Sequence, residues 1–264
     1  MASRHRAGDG ASLHITLFGR FSVRDPRRSD PIRISARVQQ LLAYLLLHPG
    51  REFRRAHLAE ILWGSRRQAQ SRKHLRQALW ALRAGIAEIL PGRDLLRCQG
   101  EWVSARLDGG VHVDAHAFDE ATRFVGPRLA TPLPEDQAIA LGEAADLYQS
   151  DLLEGWDQEW CAAPRAHLQR RFLLVMDALI NHFEATSDDP RAMMCAARAL
   201  EIDPAREGAH RAVMRLLVRA GDRSGAIRQY RDCEAAVEEE LGVPPDASTK
   251  ALYEEIVRGD DPRA

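Results

Sequence analysis

Lysine is almost missing from this chain: Lys73 and Lys250 are the only two among 37 Lys+Arg. An arginine offers a planar fork suited to phosphates and guanine edges, so the bias fits a nucleic-acid partner. A GC-rich genome would produce the same bias, and it decides nothing alone. No apolar run approaches the roughly 18 residues needed to span a bilayer. The first ten residues, Met1 to Gly10, are polar and lack the apolar core of a secretory signal, which points to a cytoplasmic protein with no membrane partner. The four cysteines, Cys98, Cys161, Cys195 and Cys233, show no CxxC or metal-ligand spacing and read as small buried hydrophobes in a reducing compartment. No phosphate-binding GxxxxGK[ST] loop, metal cluster or nucleophile–base pairing is present, and the histidines are scattered, so neither an enzyme nor a cofactor is expected. The string HVDAH at His112–His116 has no further ligands near it in sequence.

What is present is a division of charge. Residues 1–110 hold 20 Lys+Arg against 9 Asp+Glu, and residues 111–264 hold 17 against 29. A basic half joined to an acidic half suggests a polyanion-binding module followed by a partner domain. Solvated charge that fell unevenly is the plainer alternative.

The basic half opens with Leu13, Ile15 and Leu17 in alternation, a break at Gly19, then Phe21 and Val23, which predicts a strand pair. A short strand is expected at Ile32–Ile34, and Ser35 then caps a helix carrying Val38, Leu41, Leu42, Leu45 and Leu46. Pro49-Gly50 stops it, and a second helix follows at about residues 54–62, ended by Gly64. A third helix over about residues 68–89 buries Leu75, Leu79, Leu82 and Ile86 and turns Arg72, Lys73, Arg76, Gln77, Trp80 and Arg83 outward. No acid stands on that outer face, so the i, i+4 ion pairs of an ordinary solvated helix are missing. Two alternating strands, Leu95–Cys98 and Trp102–Leu107, flank a glycine turn and read as a β-wing. The order of strands, three helices and a hairpin predicts a winged helix behind a small sheet.

The segments LHITLFGRFSV, RVQQLLAYLLLHPG, LAEILW and RKHLRQALWALRAGI resemble the OmpR-like DNA-binding domain of SARP-type bacterial regulators. The resemblance rests on Leu17, Gly19, Phe21 and Val23, on His48-Pro49-Gly50, and on Leu58, Leu62 and Trp63, and covers about 95 residues. Behind it, Val111–Phe118 reads as a short linker, in which Val113, Asp114 and Phe118 match the family's string.

From Glu135 onward the chain reads as helices at about residues 135–150, 159–186, 190–201, 205–220, 222–241 and 246–258. Small residues beside Asp203-Pro204, and Gly221, Ala226, Tyr230 and Cys233 in the next helix, suggest stacked helix pairs of tetratricopeptide type. This half is similar to the bacterial transcriptional activation domain that follows the same DNA-binding domain. Trp160, Arg165, Leu168, Asp203-Pro204, Glu207, Gly221, Ala226, Tyr230, Glu240-Leu241-Gly242 and Pro245 carry that likeness. The expected fold is therefore an α+β winged helix-turn-helix of OmpR-like type over residues 11–110, then an all-α tetratricopeptide-like domain over residues 111–264. With no Walker-type motif or receiver, the chain resembles a small, stand-alone member.

The resemblance implies binding of double-stranded DNA at direct repeats near promoters and recruitment of RNA polymerase, through its sigma subunit. On the residues, the third helix would enter the major groove through Arg72, Lys73, Arg76, Gln77, Trp80 and Arg83, with Arg76 reading a base. Arg54, Arg55, Arg97 and Arg106 would clamp phosphates, which set affinity but not sequence. Trp80 has two readings, against a sugar or half-buried against the wing, and the second is the expectation. Arg66 and Arg67, between the second and third helices, are the candidate polymerase contact. The helical domain would hold a homodimer on DNA or meet polymerase, and repression by site overlap stays open. The competing class is a helical-repeat adaptor whose basic domain docks an acidic protein; it would gain if the basic side chains proved to be paired with Asp or Glu in the fold.

Overall fold

A computed structural model of the chain describes residues 13–64, 68–89, 95–107, 110–126 and 131–259. Packing divides the chain into two compact units. The first comprises residues 1–120 and 147–168, and the second residues 121–146 and 169–264. This division does not follow the expected boundary between residues 110 and 111.

In the first unit, β1 (Leu13–Thr16) pairs antiparallel with β2 (Ser22–Arg24), with Ile15 opposite Val23. Leu13 and Ile15 point inward and are almost fully buried, while His14 faces out, as a period of two requires. The segment expected as a linker contains a third strand, β6 (Val111–Val113), which pairs parallel with β1 and gives the order β2-β1-β6. The helix α4 (Asp114–Thr122) follows it directly. Ile32–Ile34, expected as a strand, forms no ladder; Ile32 N–H donates only one bond to the Val23 carbonyl, at 2.8 Å.

Asp114 explains why β6 belongs here. Its Oδ1 accepts from Leu17 N–H at 2.7 Å and from Ala115 N–H at 2.7 Å, and its Oδ2 accepts from Phe18 N–H at 3.0 Å. Burial pushes the Asp114 carboxyl above its ordinary range, and these backbone donors act against that shift. On the far side of the same turn, Gly19 takes φ +72°, and a Cβ there would meet Ser150 Oγ at 2.6 Å. Leu153 N–H donates to the Leu17 carbonyl and Gly19 N–H to the Asp151 carbonyl, which explains why residues 147–168 group with the first unit.

The helix α1 (Ala36–Leu46) buries Leu41, Leu42, Leu45 and Leu46. Each such side chain contributes about 1.5–3 kcal/mol of transfer free energy. Ser35 stands at the N-cap without a side-chain cap bond. A two-residue strand, β3 (Phe53–Arg54), precedes α2 (Arg55–Trp63). Gly64 ends α2 at φ +77°, and Trp63 Nε1–H donates to Gln40 Oε1 at 2.9 Å, tying α2 to α1. The helix α3 (Gln68–Ile89) packs on both α1 and α2. The hairpin of β4 (Leu96–Gln99) and β5 (Trp102–Ala105) turns at Gly100, φ +55°, and β3 joins β5 in the order β3-β5-β4.

The second unit is helical: α5 (Glu135–Ala145), the later part of α6 (Glu159–Ala185), α7 (Asp189–Ile202), α8 (Glu207–Arg219), α9 (Arg223–Leu241) and α10 (Ala247–Arg258). Consecutive helices from α7 to α10 pack on one another. Fully buried Ala196, Ala199, Ala209, Ala212 and Ala226 permit close approach. The carboxylates of Asp188, Asp222 and Asp246 cap α7, α9 and α10 by accepting from the backbone N–H three residues on. Along α8, arginines four residues apart reach acids on other elements. Arg211 meets Asp246, Arg215 grips Glu184 through two bonds of 3.0 and 2.6 Å, and Arg219 grips Asp189 through two of 3.0 and 2.7 Å. Arg206 holds Asp177 in the same forked way.

Two outcomes follow from these contacts. Asp114→Ala leaves three backbone donors unmatched, and Asp114→Asn supplies one acceptor oxygen where two are used. Both are predicted to lower unfolding free energy by about 1–3 kcal/mol in denaturant titrations, while an unchanged midpoint would mean that water satisfies these groups. Arg219→Ala strips the charge partner from half-exposed Asp189 and removes one of the two arginines that meet well-buried Glu184. It is predicted to cost about 1–3 kcal/mol by the same measurement.

Candidate nucleic-acid interface

The apolar stripe of α3 sets how the helix is rotated. Ser71, Leu75, Ala78, Leu79, Leu82 and Ile86 are buried, so the intervening positions must face outward. Ser71 Oγ–H donates to the Gly64 carbonyl at 2.8 Å and fixes the start of the helix against the end of α2. Arg72, Lys73, Arg76, Gln77, Trp80 and Arg83 are all exposed, on the solvent side. Glu88 is the one acid of α3, and it pairs with Arg28 at 3.2 Å rather than with the outer face. Among the described residues no carboxylate stands within ion-pair distance of Arg72, Lys73, Arg76, Arg83 or Arg97.

The expected residues fall into groups. Arg76, Gln77 and Trp80 line one shallow concavity together with His74 and with Arg37 from the start of α1. His74 sits below the ordinary histidine value, first through partial desolvation and then through the charges of Arg37 and Lys73. A depression of about 410 Å³ brings together Arg83, Arg97 and Arg106, with Cys98 and Gln99 on the same wall. Arg54 and Arg55 lie at the hairpin turn instead. The Arg54 guanidinium stands 5.2 Å from the Trp102 ring centroid. Arg55 Nε–H donates to the Gly100 carbonyl at 3.0 Å, and its backbone N–H donates to the Glu101 carbonyl at 2.8 Å. Arg72 and Lys73 share neither depression. Arg66 and Arg67 lie outside the described residues.

One side chain departs from expectation. Trp80 is 75% exposed and is not half-buried against the hairpin. The reason is rotational: Leu79 and Leu82 take the inner face, and Trp80 falls on the opposite side of the helix. Sequence reasoning missed Arg37 and His74. Arg37 reaches this surface only through the packing of α1 on α3, which no local pattern announces.

Nothing in this surface suggests a metal centre. Among the described residues no three His, Cys, Asp or Glu side chains gather at metal-binding distance. His112 lies near His14, the rings tilted with centroids 5.4 Å apart, and His116 Nε2 bonds the Leu46 carbonyl. No helix of the described residues is long and apolar enough to cross a membrane.

A basic unit with an exposed cationic helix face, and a second unit of stacked helix pairs, define a two-part regulator architecture. Residues 113–257 match the family of the bacterial transcriptional activator domain, and the chain belongs to that family as a SARP-type transcriptional regulator. It is 26% identical over 260 residues to the transcriptional regulator RedD of Streptomyces coelicolor, covering 95% of this chain and 72% of RedD. It is 27% identical over 233 residues to the regulatory protein AfsR of the same organism, covering 86% of this chain but only 22% of AfsR. Among solved structures, the fold is similar to Mycobacterium tuberculosis EmbR in complex with a low-affinity phosphopeptide. That match has a TM-score of 0.74 at 17% identity, over 95% of this chain and 66% of EmbR.

The geometry separates two kinds of arginine. Arg55→Ala removes a bond between α2 and the hairpin and is predicted to cost about 1 kcal/mol of stability. Arg97→Ala removes an exposed side chain with no acid partner and is predicted to change stability by less than about 0.5 kcal/mol. Thermal unfolding of both variants checks the distinction.

Proposed function

We propose that α1 to α3 and the β4–β5 hairpin act as an OmpR-like winged helix-turn-helix, and that the protein is a sequence-specific DNA-binding activator. In this reading α3 enters the major groove, and Arg76, at the centre of its outer face, reads a guanine edge. Arg72, Lys73, Gln77 and Arg83 flank it. Arg54, Arg97 and Arg106 meet backbone phosphates, with Arg83 beside the last two, and Arg55 both braces the hairpin and faces the duplex. The DNA-contacting part lies within residues 11–110. The tetratricopeptide-like helices, in residues 111–264, hold two subunits on direct repeats or meet RNA polymerase. Arg66 and Arg67 are the polymerase contact in this scheme, with the sigma subunit as partner.

One observation carries the reading. The arginines of α8 are each matched by an acid, whereas Arg72, Lys73, Arg76, Arg83 and Arg97 have none among the described residues. An unmatched cationic helix face is a surface whose counter-charge is external. An acidic protein could supply that charge, as the adaptor reading requires. The arrangement of a groove-sized helix beside a hairpin, in a family of transcriptional activators, favours DNA.

The reading is tested by selecting bound fragments from genomic DNA and measuring affinity for selected and random duplexes. Arg76→Ala is predicted to lose about tenfold or more on selected sites and little on random DNA, so that discrimination narrows. Arg97→Ala is predicted to weaken both alike. Wild-type affinity for both variants would move α3 out of the groove.

A further inference from the structure

Trp80 is the most exposed large hydrophobic side chain among the described residues, and no ring or cation among them packs against it. It stands one turn after Arg76 and one turn before Arg83 on the outer face of α3. Its neighbours toward the end of the helix, Ala81 and Ala84, are small and exposed, so the indole rises above the surface around it. An aromatic side chain of this size can bury about 150–250 Å² when covered. Whatever covers it must also supply acceptors to Arg76 and Arg83, which have no acid partner of their own among the described residues.

A major-groove wall offers both within one helical turn: guanine O6 and N7 as acceptors, and the C5-methyl of thymine as an apolar knob. A protein surface would need acids placed on both sides of an apolar pocket. We infer that Trp80 packs on the C5-methyl group of a thymine and selects that base at one position of the binding site. The inference rests on the DNA-binding reading above. Arg76 and Trp80 are four residues apart, about 6 Å along the helix axis, so the thymine lies about two base steps from the base that Arg76 reads.

Uracil differs from thymine by that methyl alone, which makes the test direct. Each thymine of a selected duplex is replaced by uracil in turn, and affinity is measured for the wild type, Trp80→Ala and Trp80→Phe. The wild type is predicted to lose about three- to fivefold at one thymine, about two base pairs from the position that Arg76→Ala relaxes. Trp80→Ala is predicted to bind the thymine duplex about tenfold more weakly, to show no further loss with uracil, and to lose less on random DNA than on the thymine duplex. Trp80→Phe keeps part of the thymine preference. Because the side chain is exposed, the unfolding midpoint of both variants should match the wild type, and the uracil scan on the wild type needs no variant at all.

A uracil penalty that survives in Trp80→Ala overturns the assignment. Equal weakening on selected and random DNA overturns it in favour of stacking on the sugar–phosphate backbone. Unchanged DNA binding with altered self-association or polymerase binding overturns it in favour of a protein contact. Wild-type protein that binds no duplex refutes the DNA reading itself, a result distinct from all three.

Discussion

The candidate interface depends on the burial of one leucine stripe. Leu75, Leu79, Leu82 and Ile86 are held against α1 and α2, and that contact fixes both the position of α3 and its rotation about its own axis. A turn of about 100° about the axis would bury Arg76 and expose a leucine, which the cost of burying an unpaired charge forbids. The apolar contact therefore decides which side chains face solvent, although the residues that make it are themselves buried. Trp63, bonded to Gln40, and Ser71, bonded to Gly64, hold the two helices that form the seat.

Charge in this chain is handled in two ways. In the second unit, forked arginine–carboxylate pairs join α8 to α6 and α7, a single Arg211–Asp246 bond joins it to the start of α10, and these pairs consume their own charge within the fold. Arg72, Arg76, Arg83 and Arg97 have no carboxylate to meet among the described residues. The near-absence of lysine applies to both regions, so it marks neither. Pairing is what distinguishes structural arginine from arginine free to meet a phosphate, and a sequence does not display pairing across elements.

Much of the fold was legible because its elements are long and strongly periodic. The bounds of α3 and the helices from α6 to α10 follow from apolar spacing and from Asp and Gly at their ends. The hairpin follows from its glycine turn. What could not be read is short or non-local. Val111–Val113 is three residues, and it becomes a strand only by parallel pairing with β1, at the other end of the basic half. Residues 147–168 join the first unit through bonds to Leu17 and Gly19 that no periodicity signals. At the interface, the outward residues of α3 were readable from the leucine stripe, but the full exposure of Trp80 and the arrival of Arg37 depend on tertiary packing.

Titration of the folded protein with duplex DNA over a series of salt concentrations tests the central claim that unmatched arginines face a polyanion. If four or more phosphates are neutralised, a log–log plot of affinity against salt should fall with a slope of about −3.6 or steeper. A flat dependence, or no binding by folded protein at low salt, would contradict the account and leave the cationic face of α3 to a protein partner.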